Sequence, residues 1–114
     1  MCDQDEALGI LEQTVKGCSS ILPISEAYLY GSYARGDYDR ESDVDIFLST
    51  PLSMTEIEKK RWDISGVASE LSLDHDIVVS VCVRPESVFQ PEHHPYYANI
   101  AREGIKYSPG GEAV

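Results

Sequence analysis

Tyr30-Gly31-Ser32-Tyr33-Ala34-Arg35-Gly36, a five-residue charged turn from Asp37 to Glu41, then Ser42-Asp43-Val44-Asp45-Ile46-Phe47-Leu48 is the stretch that decides the fold. Strand residues two apart point the same way. The pattern predicts a strand over 43–49 with Asp43 and Asp45 on one face and Val44, Ile46 and Leu48 on the other. Ser25 to Tyr30 alternates and predicts the preceding strand. The connection between them is too short for a crossover helix, so the pair is expected to be antiparallel. Two neighbouring carboxylates repel and lose solvation unless a cation sits between them. Oxygen ligands at this spacing suit Mg²⁺, which completes its shell with water and substrate phosphates. A small Gly-Ser turn just upstream is the size of a phosphate cradle.

Working outward, residues 5–17 place Leu8, Leu11 and Val15 at helical spacing, with Gly17 as the expected stop. Ser53-Met54-Thr55-Glu56 is a capping box that opens a helix carrying Ile57, Ile64, Ala68 and Leu71 on one stripe, with Trp62 off it. Asp76 to Val83 is dense in β-branched residues and predicts a third strand. Pro91 to Glu103 predicts a short helix with Pro95 near its first turn and Gly104 at its end. Ile105-Lys106-Tyr107 is then a short edge strand, and 108–114 a frayed tail. The chain therefore reads as one domain over residues 1–114, of mixed α/β (α+β) class, with no internal repeat or linker.

Composition narrows the chemistry. Nine Lys and Arg face twenty Asp and Glu, for a formal net charge of −11. Such a surface repels polyanions, and nucleic-acid binding depends on cationic contacts to phosphates. Neither DNA nor RNA is an expected partner; a basic protein is. Cys2, Cys18 and Cys82 have no metal-ligand spacing, and Cys82 falls in an apolar run expected to be core. The acidic start, Met1 to Glu6, is unlike a signal peptide, and no apolar run approaches the roughly 20 residues that span a bilayer. A reducing cytoplasm is the expected compartment. No Gly-x-Ser-x-Gly elbow is present, and the Gly-rich turn lacks the Gly-Lys-Ser/Thr ending of a P-loop.

Gly-Ser-x-x-Arg-Gly followed by Ser-Asp-x-Asp resembles the minimal nucleotidyltransferases of the DNA polymerase beta superfamily, with full agreement at Gly31, Ser32, Arg35, Gly36, Ser42, Asp43 and Asp45. The resemblance implies a nucleotidyltransferase-like mixed central sheet with flanking helices. It also implies a third metal carboxylate at the start of the third strand, Asp76, with Asp74 as the competitor. In that reading Asp43 and Asp45 hold the Mg²⁺ that binds the triphosphate of ATP. Asp45 and Asp76 help a second metal, or act as a base, to prepare the acceptor hydroxyl. Gly31 and Ser32 cradle the phosphates, and Arg35 either neutralises phosphate charge or pairs with Asp37 or Asp39. His75 is expected on the opposite face or in solvent, and His93 and His94 on the surface.

Little sequence follows Asp76, so the acceptor pocket is expected to be shallow or supplied by another chain. Small proteins that resemble this one commonly serve as antitoxins that adenylylate a tyrosine of a helical HEPN-type RNase toxin. A toxin that grips RNA tends to be basic, which suits an acidic partner. Two alternatives stay open: a non-catalytic antitoxin that acts by occlusion, and a small-molecule transferase of the aminoglycoside type.

Overall fold

The computed structural model describes residues 2–107, so the frayed-tail expectation for 108–114 lies outside the described residues. Among the described residues five α-helices and four strands follow one another as α1 (Gln4–Ser19), β1 (Glu26–Tyr30), α2 (Ser32–Arg35), β2 (Val44–Thr50), α3 (Met54–Lys59), α4 (Arg61–His75), β3 (Val79–Pro85), α5 (Pro95–Glu103) and β4 (Ile105–Lys106), with a single 3₁₀ turn (Glu86–Val88) between β3 and α5. The sheet order is β3-β2-β1-β4. β1 runs antiparallel to both β2 and β4, whereas β2 and β3 are parallel. The parallel pair follows from its connection, since α3 and α4 supply the crossover that a two-residue turn cannot.

Strand alternation sorts the core into two layers. Ala27, Leu29, Val44, Ile46, Leu48, Val79 and Val83 face α1 and α4, where Ala7, Ile10, Leu11, Ile64 and Leu71 close the larger core. Tyr28 and Phe47 face the other way and pack with Ile100, Phe89 and Tyr97, so α5 covers only part of that second face. The end of the second face beyond this aromatic cluster carries Asp45.

Local chemistry explains the helix ends. Asp3 caps α1 by accepting from the amide of Glu6. The capping box at Ser53 and Glu56 is present in both directions, but Lys60 divides the expected single helix into α3 and α4. Trp62 stands off the buried stripe and is 80% exposed. Gly17 does not end α1. A Cβ there would lie 3.0 Å from Cγ1 of Val67, so the glycine lets α1 and α4 approach. The same two helices are tied by His75, whose ring nitrogens lie 2.9 Å from Oε2 of Glu6 and 2.8 Å from Oε1 of Gln13.

Candidate active site

The Gly-Ser turn of the sequence is a short helix held between two glycines. Gly31 sits at φ 79° and ψ −154°, a conformation essentially restricted to glycine, and Gly36 closes α2 at φ 90° in the left-handed region. Tyr33 anchors α2 from below. It is buried and stacks on Tyr38 at 4.4 Å, while its carbonyl accepts from the amide of Gln4. So short a helix leaves its first amides, at Ser32 and Tyr33, without intrahelical acceptors.

The next turn aims the first carboxylate. The Asp39 amide donates to the Ser42 hydroxyl at 2.9 Å, and Asp39 Oδ1 accepts from the Glu41 amide at 2.9 Å. This closed loop gives Ser42 a structural duty and leaves Asp43, one residue before β2, exposed. Asp45 follows inside β2 on the face it shares with Phe47. It is half-buried, and a Cβ on Gly31 would fall 2.6 Å from its Oδ2. Turn and carboxylate therefore meet at one point.

The electrostatics are those of two neighbouring carboxylates that Arg35 only partly offsets. Burial raises the Asp45 pKa, the Asp43 charge raises it further, and the Arg35 charge opposes both. Among the described residues neither carboxylate has a salt-bridge partner. Arg35 is engaged elsewhere, 3.2 Å from Asp37 and 3.8 Å from Glu103. The pairing with Asp37 anticipated from the sequence is thus present.

Asp76 is not where the sequence reading put it. It does not open a strand; it is the C-cap of α4, exposed, at φ 54° and ψ 48°. Its amide and that of Ile77 both donate to the Ser72 carbonyl, and the Ser72 hydroxyl accepts from Val79. These bonds end the helix and delay the strand by three residues, because Asp tolerates the left-handed turn that β-branched neighbours do not. Asp76 instead lines a cavity of about 440 Å³ with Cys2, Glu6, Tyr33, Arg40, His75 and Ile77, which includes neither Asp43 nor Asp45. Asp74 is no substitute, since it projects from α4 into the groove against α1. Among the described residues no three His, Cys, Asp or Glu side chains gather closely enough to hold a metal. The position level with Asp45 on β3 belongs to Ser80.

The sequence reading passed over three further side chains on this face. Tyr30 stands directly opposite Asp45 in the β1–β2 register. Its hydroxyl lies 3.2 Å from that of Tyr96 in the first turn of α5. Arg84 lies further along β3, level with Ser49. The signal for Tyr30 was its place before Gly31; nothing in the sequence joined Tyr96 to it across the intervening chain.

The sequence pattern of the nucleotidyltransferase domain matches residues 11–108. A candidate protein adenylyltransferase of Methanocaldococcus jannaschii is 38% identical over 85 residues, spanning 73% of this chain and 84% of that one. A second candidate protein adenylyltransferase of that organism is 29% identical over 82 residues, spanning 71% and 75%. Among solved structures, a candidate nucleotidyltransferase of Sulfolobus solfataricus superposes with a TM-score of 0.63 at 21% identity, over 91% of this chain and 81% of that one. A toxin–antitoxin structure with AMP-PNP superposes with a TM-score of 0.56 at 21% identity, over 83% and 69%. These two superpositions establish the shared fold. No helix among the described residues is long and apolar enough to cross a membrane.

Proposed function

The chain belongs to the nucleotidyltransferase domain family, and from that premise we propose that it transfers AMP from ATP to a hydroxyl of a partner protein. The observation that supports this reading is the close approach of Gly31 to Asp45, which brings the Gly-Ser turn beside a carboxylate of the proposed metal pair. The donor set fits magnesium. Mg²⁺ commonly takes one or two carboxylates and fills the rest of its shell with waters and substrate phosphates. Asp43 and Asp45 supply such a pair, and their repulsion, only partly offset by Arg35, favours a bound cation. When bound, the ion would neutralise phosphate charge and polarise the reacting phosphoryl group.

The chain's own residues do the rest. The Gly31 backbone brings the turn against the carboxylate without a side chain in the way. Ser32 adds a hydroxyl and a free amide to the phosphate cradle. Arg35 holds its surface partners with at most about 1 kcal/mol each, so its guanidinium can turn toward a phosphate. Ser80, level with Asp45 on β3, offers a hydroxyl and no third carboxylate, which supports a site built on the Asp43–Asp45 pair. A carboxylate of the Asp43–Asp45 pair is acceptor-only when ionised and would help to orient the incoming hydroxyl.

The acceptor is proposed to be a tyrosine of a basic HEPN-type toxin, with this chain as its antitoxin. The formal charge of −11 supports attraction to such a partner, and the fold shared with the toxin–antitoxin structure is compatible with the role. The test is incubation with ATP carrying label on its α-phosphate, Mg²⁺ and a lysate of the source organism. A labelled protein band that requires Asp45 supports transfer. Silencing of the toxin by binding, with no label, would favour occlusion instead.

A further inference from the structure

The end of the second sheet face that carries Asp45 also carries two tyrosine hydroxyls. Cβ atoms of directly opposed residues on antiparallel strands lie about 5 Å apart, so the Tyr30 ring rises beside the Asp45 carboxylate. The Tyr30 and Tyr96 rings meet edge to face at 6.3 Å, with their oxygens 3.2 Å apart. Tyr30 is half-buried, whereas Tyr96 is 42% exposed. Tyr96 also neighbours the Cys82 thiol and feels the charge of Arg84. The Arg84 guanidinium donates to the Val83 carbonyl at 2.8 Å and has no carboxylate partner among the described residues.

We propose that Tyr96 is an acceptor in this chain's own transfer reaction, so that the protein adenylylates itself there. The proposal rests on the transfer reading above and adds a substrate to the same site. In the step, Oη of Tyr96 bonds to the α-phosphorus of ATP as the bond from that phosphorus to the bridging oxygen of the β-phosphate breaks. Pyrophosphate leaves, the phenolic proton passes to water, and Tyr96 carries AMP as a phosphodiester.

Three features select Tyr96 over its neighbours. It is exposed, so a bound nucleotide can reach it, while Tyr28 and Tyr33 are buried in the two cores. Tyr30 can donate to the Tyr96 oxygen at 3.2 Å, which leaves the Tyr96 proton free to pass to water. Arg84 supplies the positive charge that the phosphodiester would need once formed. An AMP on Tyr96 would lie over the Asp45 face and obstruct the approach of a partner hydroxyl.

The experiment uses the purified full chain with ATP and Mg²⁺, read by intact mass and by peptide sequencing. The expected product gains one AMP, placed on Tyr96. The gain is lost in Tyr96→Phe and in Asp45→Asn, and is reduced but present in Tyr30→Phe. Tyr96→Phe removes only an oxygen, so the ring packing and fold remain, and this variant should still label a lysate protein. An unmodified chain that nonetheless labels a lysate protein would overturn self-modification and leave the transfer reading standing. AMP on another residue, undiminished in Tyr96→Phe, would also overturn it. Absence of label from both chain and lysate would count against both readings.

Discussion

Gly31, just past the end of β1, approaches Asp45 of β2 so closely that a single added methyl at Gly31 would stand 2.6 Å from Oδ2. Gly31→Ala therefore meets two obstacles: a contact with the carboxylate and a backbone at φ 79° and ψ −154°. The backbone alone costs of order 1–3 kcal/mol. Calorimetry should show that loss of stability, and nucleotide transfer should fall with it. Full activity in a stable Gly31→Ala protein would separate the turn from the site.

Asp45 carries its charge at a cost to stability. Its pKa in the folded chain is raised above the ordinary value of 3.8, by burial first and then by Asp43. The ionised form is therefore penalised in the folded state at neutral pH, and the penalty vanishes below the unfolded pKa. Asp45→Asn should stabilise the ligand-free protein at pH 7 by less than about 1 kcal/mol after solvent screening. The gain should disappear in acid, whereas the substitution should abolish transfer at every pH. In the wild type, transfer should decline as pH falls through the raised Asp45 pKa, because the proton removes a ligand charge. Thermal melts across pH, with matched rates, check both.

Asp76 gives the opposite expectation. As the left-handed C-cap of α4 it holds a conformation that glycine adopts freely. Asp76→Gly should leave transfer near wild type and change stability by no more than about 1 kcal/mol. A collapse of activity in a folded Asp76→Gly protein would return Asp76 to the chemistry.

Gly17 tests the helix pair behind the sheet. A large side chain at this position must push into Val67, 3.0 Å from the first added carbon. Gly17→Leu should destabilise by about 1–3 kcal/mol through overpacking. Transfer measured well below the melting temperature should be retained, since the helices sit on the face away from Asp45.

The two positions most instructive about sequence reading are Asp45 and Asp76. Asp45 was legible because strand alternation is strictly local: its face follows from Val44, Ile46 and Leu48 beside it. The antiparallel β1–β2 pair, the Ser53 capping box and the Pro95 helix start were legible for the same reason. Asp76 was misplaced because its conformation depends on bonds from its own amide and that of Ile77 to the Ser72 carbonyl four and five residues back. A β-branched run following an Asp looks like a strand start whether the Asp caps a helix or opens a strand. Gly17 was read as a helix stop because the neighbour it makes room for, Val67, is distant in sequence. The Tyr30–Tyr96 pair was hidden by the same kind of separation.

The central claim, that Asp43 and Asp45 serve transfer of a nucleotide to a protein hydroxyl, is tested most directly by the mass of a partner. The neighbouring reading frame is co-expressed with this chain, the pair is purified, and the partner's intact mass is measured before and after ATP and Mg²⁺. The account predicts a gain of whole AMP units on a partner tyrosine with wild-type protein and none with Asp45→Asn. A partner bound and silenced with its mass unchanged, or a gain that survives Asp45→Asn, would contradict it.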